Sequence, residues 1–342
     1  MIHNKLHDTG LRGFLYLFVL PLSMSCTSSN SDSSDNNAVP KPEYFLGSDQ
    51  THSRFSRSIP PALTVPSGAV IQVHTKEVTN NQLTIHSVAE DLRTLDFDPI
   101  HPLTGPVFVE GAEPGDVLAV TLHEIEVADW GWSAVIPGFG FLAEEFAEPY
   151  LKIFVLKEGE TFARFSEKIR IPLSPFPGVM GVAPDTDSLL STVPPRANGG
   201  NMDNPFLTEG TTVYFPVFVK GALFSIGDTH AAQGMGEVCG TAIETPMRIV
   251  YEVNVIKGKR KIQEPEYESE DYYAVTAFAT TLDDAAKKAT KYMIEYLVKE
   301  HRLERNEAYV LCSLAGDLKI AEVVDVPNVL VSMHMSKEVL GM

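Results

Sequence analysis

VLAVTLHEIEV, residues 117–127, decides the fold class. Val117, Ala119 and Thr121 alternate with Leu118, Val120 and Leu122, and both sets can be buried, so the run predicts a strand covered on its two faces. Outward from it, similar short apolar runs are cut by Gly and Pro at Ala69–Thr75, Leu151–Leu156, Ile169–Leu173, Thr212–Lys220, Met247–Ile256 and Tyr272–Ala279. Many short strands joined by turn chemistry favour a sandwich or jelly roll over a parallel α/β sheet. Helical spacing comes late. Leu282, Ala286, Ala289, Met293 and Leu297 predict a helix capped by Thr281, with Asp283 and Asp284 in its first turn. Asn306–Leu314 reads as a shorter second helix, and Leu318–Asp325 with Val329–His334 as a helix or strand pair closing the domain. Helices after strands is the α+β order. The expectation is a mainly β, jelly-roll-like β-sandwich over 43–265, with a smaller helix-containing α/β portion over 266–342 packed on it.

The first residues are not fold. Lys5 and Arg12 precede the apolar run Phe14–Leu22, and SMSC then gives way to the polar tract TSSNSDSSDNN. That is the build of a secretory signal over 1–26, too short to remain as a membrane span. Cys26 is the candidate for lipidation, with 27–42 as a disordered tether. Ser23 stands where such leaders usually carry Leu, so a plain cleaved secretory peptide is the alternative. The first reading makes the protein an exported bacterial lipoprotein, at the periplasm or cell surface, touching membrane only through its N-terminal lipid. A formal net charge of −18 over 342 residues argues against nucleic acid as a partner. Cys26, Cys239 and Cys312 supply no disulfide framework, and no CxxC, HExxH, phosphate-loop or GxSxG pattern occurs.

Chemistry concentrates in GDTHAAQGMGEVCGTAIE, residues 227–244. Asp228, His230, Gln233, Glu237 and Glu244 are spaced there by four glycines and small residues. With so little apolar bulk, the stretch predicts a loop-rich pocket wall. Glu237 and Glu244 interrupt small apolar residues, and burying either requires a metal, an arginine or a substrate as partner. His230 beside Asp228 suits a ligand or a base, although single histidines are often structural. Cys239, with two glutamates nearby, is better suited to packing than to nucleophilic attack. Three further clusters flank this stretch. IPLSPFPGVMGVAP (171–184) predicts a rigid apolar loop, PPRANGGNMD (194–203) carries Asn201 and Asp203, and GPVFVEGAEPGD (105–116) carries Glu110, Glu113 and Asp116.

Taken in order, GPVFVEGAEPGD, DWGWSAVIPGFG, IPLSPFPGVMGVAP, PPRANGGNMD, GDTHAAQGMGEVCGTAIETPM and SLAGDLKIAEVVDVPN resemble the acetamidase/formamidase family from about Phe45 to the C-terminus. The resemblance implies hydrolysis of short aliphatic amides to acid and ammonia, the β-sandwich fold, a divalent metal (Zn or Ca) and a possible homodimer. Two departures stand out. Thr229 replaces a glycine and Met235 an aspartate of the family's central motif, while His74 and Glu77 stand where relatives carry two acids. Met235 prompts an alternative, an envelope lipoprotein that keeps the fold but is non-catalytic or substrate-shifted.

Amide cleavage needs an activated water, polarisation of the carbonyl and an acid for the leaving nitrogen. A metal on histidine and carboxylates supplies the first two. The expected ligands are Asp228, His230 and Asp203, with His74 and Glu77 as possible additions. Glu237 is the expected base, His230 and Glu244 share the catalytic role, and Asn201 and Gln233 bind a small neutral amide.

Overall fold

The computed structural model describes residues 39–258 and 261–342, so the leader, Cys26 and most of the tether lie outside the described residues. Two antiparallel-dominated sheets carry the fold. The larger runs in the order Tyr44–Leu46, Ala69–His74, Met247–Ile256, Val117–Val127, Thr212–Pro216, Glu266–Glu268, Tyr272–Ala279, Val329–Ser336 and Gly316–Glu322. In the smaller, Phe176–Gly181 and Phe224–His230 pair centrally, flanked by Gly199–Asn201 and by Leu103–Val109, onto which Thr51–His52 and Leu63–Val65 add. Most of the chain outside these strands is turn and loop, and the protein is mostly β with its helices near the C-terminus.

Val117–Val127 shows why the sheets adhere. Leu118, Val120 and Leu122 enter the main core, and Val117 and Ala119 on the opposite face meet Tyr214, Ile256 and Ile262. The main core also holds Ile71, Val73 and Tyr251 from the larger sheet, and Val107, Phe176, Met180, Phe224 and Ile226 from the smaller. Each such fully buried aliphatic contributes about 1.5–3 kcal/mol, so the layers are joined by apolar burial from both sides.

The C-terminal portion does more than pack on the β-rich part. Thr212–Pro216 pairs with Glu266–Glu268, so its strands extend the larger sheet. Tyr273, Val275 and Ala277 alternate onto the helix side, where Ala285, Ala289, Met293 and Leu297 of the helix Leu282–His301 close a second core. Thr281 caps that helix through Asp284 N, and Arg305–Ala315 forms the second helix. Gly316–Glu322 and Val329–Ser336 are a strand hairpin, which resolves the helix-or-strand expectation.

Two loop expectations are corrected. Phe176–Gly181, inside the Pro/Gly-rich 171–184 stretch, is a fully buried central strand, and residues 224–230 are its neighbour. Small residues are needed there because the layers approach closely. A Cβ on Gly178 would fall 2.3 Å from Asp203 Oδ1 and 2.7 Å from His230 Cε1, and one on Gly227 would fall 2.7 Å from the Pro102 carbonyl. Glycine in these strands marks close approach, not a loop.

Candidate active site

The strand Phe224–His230 delivers Asp228 and His230 to a cavity of about 70 Å³, enclosed between the smaller sheet and the loops around it. Asn201 ends the adjacent strand and Asp203 follows it, while the 234–244 loop brings Glu237 and Glu244. Asp325 arrives from the turn between the last two strands. The loop is fixed at both ends. His230 bridges Glu244 in antiparallel fashion, and Gly236 bridges Glu322, with Gly236 N donating to the Ala321 carbonyl at 2.9 Å. A larger groove beside the first helix, about 750 Å³, is lined by none of these residues.

The cavity lining combines polar groups, Asn201, Asp203, Asp228, His230, Glu237, Glu244 and Asp325 among them, with apolar ones such as Val78, Leu95, Phe97, Ile100, Trp132, Ile136 and Phe139. His230 Nε2 lies 3.2 Å from Glu244 Oε2 and 3.3 Å from Asp228 Oδ1. His101 Nε2 approaches the other oxygen of Asp228 at 3.7 Å. Among the described residues, no Lys or Arg lines the cavity.

Gln233 settles the proton on His230. Its Nε2 donates to the carbonyls of Asp203 (2.7 Å) and Ala321 (3.3 Å), which turns Oε1 toward the imidazole. Nδ1 therefore donates to Oε1 at 2.9 Å, and Nε2 is the nitrogen aimed at the acids. Gln233, expected to contact substrate, does not line the cavity; its amide is engaged by His230, Asp203 and Ala321.

Backbone strain gathers here. Asp203, Asp228 and Glu237 have φ of 38°, 51° and 45°. Left-handed conformations cost a non-glycine residue on the order of 1–3 kcal/mol when the surroundings impose them, and three of the site's acids adopt them.

Burial sets the electrostatics. It pushes Asp203 up to about 7, helped by the charge of Asp228. It raises Glu237, Glu244 and Asp325, the last also because Asp203 and Glu322 stand beside it. For His230, burial opposes the charged form, but Glu244 and Asp228 outweigh it and hold the imidazole well above its ordinary value. Burial likewise opposes ionisation of Asp228, yet His101 and His230 hold it below. His101 itself is lowered by burial.

Groups of His and carboxylate atoms within 4.8 Å of one another form three sets: Asp203, Asp228 and His230; His230, Glu237 and Glu244; and Asp203, Glu237 and Asp325. Asp203 Oδ1 and Asn201 Oδ1 are buried with no hydrogen bond, and Glu244 Oε2 meets only His230 Nε2, at 3.2 Å. Buried acceptors without donors in an acid-rich pocket fit a cation there, because burying unpaired carboxylates is otherwise costly. Imidazole with carboxylates suits Zn²⁺ and other borderline divalent ions.

His74 and Glu77 do not belong to this set. His74 lies outside the lining, bonded to Gln72 and edge-on to Phe45. Glu77 is fully buried, but both its oxygens are taken by Thr79, Asn81 and the Trp132 indole, so it anchors the cavity wall. Met235 is 40% exposed and outside the lining. Thr229 is buried, donating to the Thr245 carbonyl and bonded to Thr75 Oγ1. Cys239 is half-buried, its Sγ on Thr241. Asp116 binds Lys257 away from the site, and Glu110 and Glu113 are exposed. Sequence reasoning missed Asp325, Glu322 and His101. Glu322 and Asp325 resemble solvated charges at a strand end, and His101 lies in a proline-rich turn; only the place of the two acids inside a shared family segment could have drawn attention to them.

A mostly β fold closed around such a centre is the build of an amidase, an enzyme acting on linear amides, and comparison with known proteins agrees. The profile of the Acetamidase/Formamidase family matches residues 43–191 and 187–342, and the chain belongs to that family. It is 32% identical to the acetamidase of Mycolicibacterium smegmatis over 60% of this chain and 66% of that protein. It is 28% identical to the formamidase of Methylophilus methylotrophus over 85% and 89%. The crystal structure of a predicted acetamidase/formamidase from Thermoanaerobacter tengcongensis superposes with a TM-score of 0.82 at 36% identity, covering 87% of this chain and 97% of that one.

Proposed function

We propose that the protein hydrolyses the C–N bond of a small, neutral, linear carboxamide to the acid and ammonia at this centre, with a divalent cation on Asp228, His230 Nε2 and Asp203. The observation that carries the reading is the convergence of an imidazole, its Nδ1 held by Gln233, and several buried acids on one small cavity. When bound, the cation supplies Lewis acidity, which polarises a carbonyl and acidifies water.

The chain's own groups do the rest. Glu237, raised well above an ordinary carboxylate by burial, takes the proton of the attacking water and returns it to the leaving nitrogen. Asn201 donates Nδ2 to Asp325 at 2.7 Å, which leaves Oδ1 facing the cavity to accept an N–H of the amide. Glu244 is held by Ala242 N through Oε1, so Oε2 stays beside His230 and fixes its orientation. His101 steadies Asp228. The apolar residues of the lining take the acyl group and keep bulk water out.

The non-catalytic reading rested on Met235, whose side chain lies outside the cavity and removes nothing from it. Export, with a lipid on Cys26, places the amidase in the cell envelope; the mass of the mature N-terminal peptide tests this, and an unmodified Cys26 would sink it. The activity is tested by ammonia release from formamide, acetamide and propionamide. His230→Ala is expected to lower turnover by on the order of 10²–10⁴ while the melting temperature changes little. Equal loss of both would make His230 a core residue, and no release from any of the amides by the wild type would overturn the proposal.

A further inference from the structure

We infer that Phe97 sets the length of the acyl group that the enzyme accepts. The inference rests on the hydrolase reading above and adds a specificity-determining residue to it. The cavity holds about 70 Å³, roughly two waters' worth of liquid and far below the about 300–1,000 Å³ of pockets that take drug-sized ligands. Its lining also has a direction. Asp203, Asp228, His230, Glu237 and Glu244 are buried, whereas among the described residues that line the cavity only Phe97 is exposed, at 55%. The acids therefore occupy the deep end and the Phe97 ring the mouth, and a carboxamide seated on the acids directs its acyl carbons toward that ring.

Exposure does not make this residue a loose flap, because the backbone on either side of it is held. Asp96 N donates to Gln82 Oε1 and Gln82 Nε2 donates to the Asp96 carbonyl, both at 2.8 Å. Asp98 N donates to Asp96 Oδ1 at 2.9 Å, and Arg54 Nη1 donates to the Asp98 carbonyl at 2.9 Å. A ring carried on a turn pinned at both flanks is a wall, and an acyl chain that reaches it has to displace the turn. The other large apolar groups of the lining are committed to structure. Trp132 is buried with its indole N–H on Glu77, and Leu95, Ile100 and Phe139 pack into the cluster around it. The Phe139 ring also lies on Gly240, where a Cβ would fall 2.4 Å from Cδ1. Phe97 is not part of that cluster, so shortening it opens the mouth and leaves the core filled. In a hydrophobic site one methylene more or less changes kcat/KM by about 10–200-fold, which makes a single ring at the mouth sufficient to end the substrate range.

The test is kcat/KM for ammonia release along the series formamide, acetamide, propionamide, butyramide and hexanamide, for the full chain as wild type, Phe97→Ala and Phe97→Tyr. In the wild type, kcat/KM is expected to fall by about tenfold or more from acetamide to butyramide. The ratio of butyramide to formamide is expected to rise by about tenfold or more in Phe97→Ala and to stay at the wild-type value in Phe97→Tyr, which keeps the ring. Because the ratio is taken within one preparation, a loss of folded enzyme cancels from it. A wild type that accepts butyramide and hexanamide as readily as acetamide overturns the inference without recourse to any variant. An unchanged ratio in Phe97→Ala, or an equal rise in both variants, also overturns it and leaves the hydrolase reading standing; no ammonia from any amide with the wild type overturns both.

Discussion

At the scale of single residues, the site is assembled by close approach. Gly178 lies in the strand beside His230, where any side chain would strike Asp203 Oδ1, the His230 ring and the Asp228 carbonyl together. Gly178→Ala is therefore expected to displace both the Asp203 carboxylate and the imidazole, and misplacement on the ångström scale costs about 10²-fold in rate. Steady-state kinetics on a folded variant checks this; unchanged turnover would mean that the centre yields without penalty. Met235→Asp makes the opposite case. Restoring the family's carboxylate at a position 40% exposed and outside the cavity is expected to change turnover by about twofold or less. A large gain would show that the 235 side chain reaches the chemistry. The acids at 228, 237 and 244 were legible in the sequence, because carboxylates set among glycines and small apolar residues have no solvated helix face to occupy. Gln233, His74 and Glu77, also expected in the site, lie outside the cavity lining, since a polar residue type does not reveal whether its hydrogen bonds are already made inside the protein.

At the scale of elements, legibility followed apolar content. Val117–Val127, Met247–Ile256 and Tyr272–Ala279 form strands over the ranges their patterns suggest, because β-branched and aliphatic residues dominate them. Phe176–Gly181 and Phe224–His230 were hidden, because glycine and proline imitate loops and the polar residues demanded by chemistry break the alternation. Glu322 and Asp325 were hidden for a different reason: nothing local says that the turn after Glu322 folds back onto Asn201, 124 positions earlier in the chain. The helix Leu282–His301 was read by both cap and periodicity, and its cap gives a prediction confined to this element. Thr281→Ala removes the acceptor for Asp284 N and is expected to lower stability by about 1 kcal/mol with kcat/KM unchanged. Denaturant unfolding with parallel kinetics checks it, and a matching fall in kcat/KM would tie the helix to the centre.

For the whole molecule, the acids of the centre link stability to pH and to metal. Asp203 is pushed up to about 7 and Glu322 to about 8, and Glu237, Glu244 and Asp325 are raised, in each case first by burial. His230 is raised as well, its acidic neighbours outweighing the burial that opposes its charge. A group whose folded value exceeds its unfolded one binds more protons when folded; its stabilisation is complete below the unfolded value and is lost as pH rises through the folded one. Asp228 is lowered and acts below the window, and the lowered His101, His52 and His334 act with the opposite sign only up to the ordinary histidine value. Without cations, the melting temperature is therefore expected to fall as pH is raised from about 7 to about 9, steepest near the values of Asp203 and Glu322. Divalent cations compete with those same protons, so their stabilising effect should grow over the same window. Melting curves of chelator-stripped and cation-loaded protein across pH measure the difference directly. Curves that stay parallel would mean that the buried acids neither hold protons nor exchange them for metal, and the cation-based account of the centre would fall with them.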